Sequence, residues 1–186
     1  MSSDVPGSAA DLSHFALFGL PARFELDETE LAVRYRELQR AVHPDRYAGG
    51  SPLERRLALQ RAAQINEAFQ VLKDPLRRAR YLLSLHGVDT GEESNTVMDA
   101  AFLSEQMALR EALMELRKAH EPQRELERIM LHIDERLDEM TGELRAHLAD
   151  PSPEHLSQAG HIVRKMQFLR RLAQEAGELE EELASA

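Results

Sequence analysis

His43, Pro44 and Asp45 form the densest cluster of chemically useful groups in the chain, and arginines surround them. An aspartate can accept a charge-assisted contact from a partner arginine, and a histidine offers one donor and one acceptor. A proline between them stiffens the turn, so less entropy is lost on binding. From position 34 to 61 the chain carries Arg34, Arg36, Arg40, Arg46, Arg55, Arg56 and Arg61 against Glu37, Asp45 and Glu54, a local surplus of +4. These groups are suited to recognising an acidic protein surface.

Two helices must hold this tripeptide at their junction. Asp27 is an N-cap with Glu30 three residues on, and Leu31, Tyr35, Leu38 and Val42 then follow the helical period. Pro44 disfavours helical geometry at His43, so the first helix should stop near Val42. Gly49 and Gly50 open a loop, and Ser51-Pro52-Leu53-Glu54 reads as a capping box with proline at the first helical position. The second helix is expected to bury Leu57, the stem of Arg61, Ile65, Ala68, Phe69 and Leu72. The pair is an antiparallel hairpin presenting His43, Pro44 and Asp45 at its tip, with Arg34, Arg40 and Arg46 facing outward. A short helix covers His14 to Phe18, and another starts at Asp74-Pro75 and stops at His86-Gly87.

The remainder is helical too. Residues 1–12 read as a disordered polar tail, residues 13–87 as the first domain and residues 88–97 as a linker that loses periodicity. Residues 98–186 form an antiparallel three-helix bundle: Met98–Ala119, Gln123–Ala149 broken by Asp150-Pro151-Ser152-Pro153, and Pro153–Leu183. In the first of these helices, Phe102, Leu109, Leu113 and Leu116 fall on one narrow arc and should be core. Leu103, Met107, Glu111 and Glu115 lie on another arc, where solvent belongs, and Phe168 is similarly offset from Leu169 and Leu172. Leucine, methionine and carboxylates on such an arc suggest a small adhesive patch.

Composition narrows the function classes. The chain has 186 residues, no cysteine and a net charge of −10, all of it carried by residues 92–186. Absent cysteine removes disulfides, thiolate metal sites and cysteine nucleophiles. The acidic half would repel nucleic acid, and no stretch approaches the ~20 apolar residues of a membrane span. The N-terminal residues lack the features of a signal or transit peptide, which fits a cytoplasmic protein. The other histidines, at 14, 86, 120, 132, 147, 155 and 161, lack HExxH spacing or an adjacent nucleophile. His132 with Asp134 and Glu135 points in diverging directions on a helix, so neither catalysis nor a bound metal or cofactor is expected.

The first domain resembles a J-domain, the module by which co-chaperones engage heat-shock ATPase chaperones. Besides His43-Pro44-Asp45, Ile65-Asn66-Glu67-Ala68-Phe69 and Asp74-Pro75 with Arg78, Ala79 and Tyr81 fall where that family's motif has them. Gly19-Leu20-Pro21, the run Arg80 to Gly87, Ala101-Phe102-Leu103 with Glu105-Gln106, and Val163-Arg164-Lys165 with Phe168-Leu169 resemble the HscB (Hsc20) co-chaperones of iron–sulfur cluster assembly. The resemblance covers residues 14–184. It implies a non-enzymatic, monomeric co-chaperone. His43, Pro44, Asp45, Arg34, Arg40 and Arg46 would engage an HscA/DnaK-type ATPase chaperone. Leu103, Met107, Glu111, Glu115 and Phe168 would bind the scaffold protein IscU. Ser104 and Ala108 depart from the family, whose better-known members carry larger apolar or acidic residues there. Two other classes stay open: a general J-domain adaptor for a different client, and a metal-dependent enzyme built on the bundle.

Overall fold

A computed structural model describes residues 13–47, 49–91, 100–116 and 119–185. The tail 1–12, residues 92–97 of the expected linker and the expected bundle start at 98–99 lie outside the described residues, as does the side chain of Pro44. The protein is all-α, with seven α-helices among the described residues: α1 (His14–Leu17), α2 (Glu28–Ala41), α3 (Pro52–Lys73), α4 (Pro75–Leu85), α5 (Ala100–Glu115), α6 (Pro122–Ala149) and α7 (Pro153–Ser185). It divides into two compact units, residues 1–87 and 88–186.

Local chemistry explains the helix starts of the first unit. Asp27 accepts from the backbone N–H groups of Thr29 and Glu30, and Asp74 from that of Arg77. Ser51 and Glu54 satisfy each other's backbone N–H groups in a complete capping box. Gly87 ends α4 at φ 75°, a left-handed geometry that a side chain would strain.

The core of this unit collects Phe15, Phe18, Phe24, Leu31, Ile65, Ala68, Leu72, Leu76, Ala79, Leu82 and Leu83. Its buried stripe on α3 differs from the sequence expectation at the N-terminal end. Ala58 is buried, whereas Leu57 is 49% exposed and Arg61 lies in solvent. There, small Ala58 sits on the stripe that continues through Ile65 and Leu72 at seven-residue steps.

Polar contacts lock α2 onto α3 and α3 onto α4. Tyr35 stacks on Phe69 with ring centroids 4.0 Å apart, and its hydroxyl donates to Asn66 Oδ1 at 2.9 Å. Gln39 donates to the same oxygen. Arg78, buried to 6% exposure, donates from Nη1 to the Leu72 carbonyl at 2.8 Å and lies over the Phe24 ring. The Asn66, Phe69 and Arg78 positions of the motif thus hold helices together.

In the second unit, α6 and α7 form the principal pair and α5 packs against both. Leu126, Ile129, Ile133, Met140, Leu144 and Leu148 of α6 meet Leu156, Ile162, Val163, Met166, Leu169 and Leu172 of α7 in the core. Ser152 caps α7 through the His155 N–H. Val88 to Thr90, read from sequence as connecting chain, lie along α7. A Cβ on Gly160 would come within 3.4 Å of Val88, and Thr90 is 6% exposed.

His14 gives the first unit a pH dependence. Its ring stacks on Tyr81 with centroids 4.3 Å apart, and its backbone N–H donates to the Tyr81 hydroxyl. Burial lowers its pKa below 6.5, with nearby Glu67 opposing. Since the unfolded chain then binds the proton more readily, this group's contribution is complete above about pH 6.5 and is lost as pH falls through the depressed value. The thermal midpoint of the first unit should therefore fall between pH 7.5 and 5.5, and His14→Phe, which keeps the stack, should flatten that fall; circular dichroism melts across this range check it.

Candidate binding surfaces

The loop between α2 and α3 tightens at once into a 3-10 turn, Pro44–Tyr47. The Arg46 N–H donates to the His43 carbonyl at 3.0 Å, and the Asp45 N–H donates to His43 Nδ1 at 3.3 Å. The Tyr47 hydroxyl reaches back to the Ala41 carbonyl at 3.4 Å, tying the turn to the end of α2. His43 Nδ1 also stands 3.5 Å from Asp45 Oδ2. The Asp45 side chain is 90% exposed and that of His43 59%. The tip is internally bonded, yet its carboxylate projects into water, the arrangement of a preorganised acceptor for a partner's cation.

The arginines expected around it divide into two kinds. Arg40 and Arg46 are exposed, as are Arg36, Arg55, Arg56 and Arg61. Arg34 instead turns back on its own domain, unlike the outward orientation read from the sequence. Its Nη1 donates to the carbonyls of Phe18 at 2.7 Å and Gly19 at 3.1 Å, and Nε and Nη2 hold Glu30. Gly19 itself has φ 62°, and a Cβ there would lie 2.7 Å from that Nη1. Helical spacing places Arg34 on the basic face, but the length of its side chain lets it reach the α1–α2 connection.

On α5 the two arcs separate as the spacing requires. Phe102, Leu109 and Leu116 are buried, while Leu103 is 46% and Met107 73% exposed; Glu111 and Glu115 are exposed. Leu113, expected in the core, is only half-buried. Phe168 is half-buried, edge-on to Phe102 with centroids 6.1 Å apart, and Arg110 lies over it at 5.5 Å. On α5, Leu103 and Met107 thus form an exposed apolar arc with Glu111 and Glu115 further along it, and Phe168 of α7 lies beside Phe102 and Arg110 of α5. Sequence reasoning missed Met114, 79% exposed, although it lies on the Leu103 and Met107 arc seven residues, about two turns, beyond Met107.

His132 faces neither Asp134 nor Glu135. Its Nε2 lies 3.4 Å from Glu105 on α5, and Glu105 also accepts from Arg136 Nε at 3.1 Å. This cluster bridges α5 and α6. Among the described residues no three His, Asp or Glu side chains converge in a metal-binding arrangement, and no helix is long and apolar enough to cross a membrane.

Comparisons with known proteins cover both units. Residues 13–81 match the DnaJ domain, and residues 98–177 match the family described as HSCB C-terminal oligomerisation domain. The chain is 41% identical over 172 residues to a protein named Co-chaperone protein HscB homolog from Shewanella loihica, covering 92% of this chain and 99% of that one. The namesake from Shewanella baltica is 40% identical with the same coverage. Among solved structures, the chaperone HscB from Vibrio cholerae superposes with a TM-score of 0.79 at 38% identity, over 92% of this chain and 99% of its own. The human co-chaperone protein HscB gives 0.81 at 26% identity, over 97% and 86%.

The divided arginines lead to a test. Arg34→Ala should destabilise the first unit by about 1 kcal/mol through loss of bonds to two carbonyls, whereas exposed Arg40→Ala should leave its stability unchanged. Urea denaturation of the two variants measures both.

Proposed function

The chain belongs to the HscB family of J-domain co-chaperones of iron–sulfur cluster assembly, and on that premise we propose that it stimulates an HscA/DnaK-type chaperone and delivers the scaffold protein IscU to it. The observation that carries this reading is the coexistence of two exposed surfaces of different character on separate units. One is the basic hairpin tip with a projecting Asp45; the other is the apolar, acid-edged face of α5 and α7.

The mechanism follows from what each surface can do. Asp45 pairs with a cation at the chaperone's ATPase junction, and His43, Pro44, Arg40 and Arg46 fix the approach, favouring the state that hydrolyses ATP. Arg34 contributes chiefly by holding α1 against the α2 face. Leu103, Met107 and Phe168 supply apolar contact to the scaffold, with Glu111 and Glu115 at the rim. Tethering the two surfaces in one chain raises the local concentration of the scaffold at the chaperone's substrate site. The protein has no enzymatic activity of its own in this scheme and works in the cytoplasm as a monomer, though the description of the matched C-terminal family names oligomerisation.

Two experiments test the halves separately. Asp45→Ala should cut stimulation of the chaperone's ATPase about tenfold or more while IscU binding stays intact; unchanged stimulation in a steady-state ATPase titration would refute the loop's role. Combining Leu103→Ala, Met107→Ala and Phe168→Ala should weaken IscU binding by about thirtyfold with helical content retained. Calorimetric titration alongside circular dichroism reads both quantities. A bundle that bound another client and ignored IscU would favour the general adaptor.

A further inference from the structure

His147 and His155 are eight residues apart in sequence, and no metal-binding motif joins them. The turn between α6 and α7 brings them together. Their ring centroids stand 5.3 Å apart and the ring planes cross at 63°. His147 lies in the last turn of α6 and His155 in the first turn of α7. Both are half-buried, and Leu144, Leu148 and Leu156, close to them in sequence, are buried and anchor the two helix ends. The turn is held by its own bonds. The Asp150 carbonyl accepts from the Ser152 N–H at 2.8 Å, and Ser152 Oγ accepts from the His155 N–H at 3.2 Å. That same carbonyl lies 2.7 Å from His155 Nδ1. A carbonyl only accepts, so Nδ1 carries the proton and Nε2 keeps its lone pair.

We propose that His147 and His155 form a two-histidine site for a divalent transition metal such as zinc, which clips the end of α6 to the start of α7. An imidazole whose Nδ1–H is held by a carbonyl while Nε2 stays open is the form that ligates metal ions. Ring spacing agrees. With zinc–nitrogen bonds of about 2.0–2.1 Å, each ring centre lies roughly 3.2 Å from the ion, and two rings at a tetrahedral angle have centres ~5.2 Å apart. Imidazole donors favour zinc, nickel or copper, whereas magnesium and calcium take oxygen donors. Among the described residues no third histidine or carboxylate converges on the pair, so water completes the coordination and the ion exchanges with solvent. The site shares no residue with either docking surface.

Calorimetric titration of the chelator-treated full chain with zinc chloride, with magnesium chloride as the control, tests the site. One zinc should bind per chain, and magnesium should not bind. His147→Gln and His155→Gln should each weaken zinc binding about tenfold or more, while His132→Gln should bind as wild type. Because the ion joins two helices of the folded chain, zinc should raise the wild-type thermal midpoint and move those of the His147 and His155 variants little. Imidazole resonances read the site without substitution. Zinc should shift the ring signals of His147 and His155 and leave those of His132 and His161 in place. Undiminished zinc affinity in both variants, or shifts centred on other histidines, would overturn the assignment. Absence of zinc uptake by wild type would do the same, leaving the crossed rings as packing alone.

Discussion

Each helix of this protein can bury one stripe of side chains, repeated at three- and four-residue steps, and both surfaces follow from that constraint. On α5 the stripe is Phe102, Leu109 and Leu116. Once these face α6 and α7, helical geometry turns Leu103, Met107 and Met114 toward water whatever their hydrophobicity. The same constraint on α2 buries Leu31 and leaves Arg36 and Arg40 outside. Exposed leucine and methionine are therefore the remainder of a satisfied core, and their grouping along one line is what gives them meaning.

Legibility in the sequence tracked how local the determining physics was. Helix starts could be read because caps act within four residues: Asp27, Ser51 and Asp74 all accept the backbone bonds expected of them. The bundle stripes could be read because long helices average over many turns. Harder were single positions. Leu57 and Ala58 are neighbours on α3, and the smaller one is buried because it, and not Leu57, falls on the seven-residue steps that lead to Ile65 and Leu72. Arg34 carries the right type and spacing for a surface cation, but two carbonyls sixteen and fifteen residues away claim its guanidinium. Met114 falls on the Leu103 and Met107 arc two turns beyond Met107, so helical spacing alone could have found it, whereas Leu113 lies on the core arc by spacing and is nevertheless only half-buried.

Charge reinforces the separation of roles. The first 91 residues are neutral overall with a basic surplus near the tip, while the net −10 belongs to the remainder. Exposed pairs such as Arg128 with Glu125 contribute little to stability individually. Summed over each half, however, the charges bias which partner surfaces approach which unit, and they do so over about a Debye length.

The hydrogen bonds inside the hairpin tip decide what the loop can present. The Asp45 N–H donates to His43 Nδ1 and the Arg46 N–H to the His43 carbonyl, so the turn uses its own backbone donors to hold its shape. What it leaves facing water is the Asp45 carboxylate, 90% exposed. A partner meets a loop already folded into its final form, and the recognition it offers is charge rather than backbone.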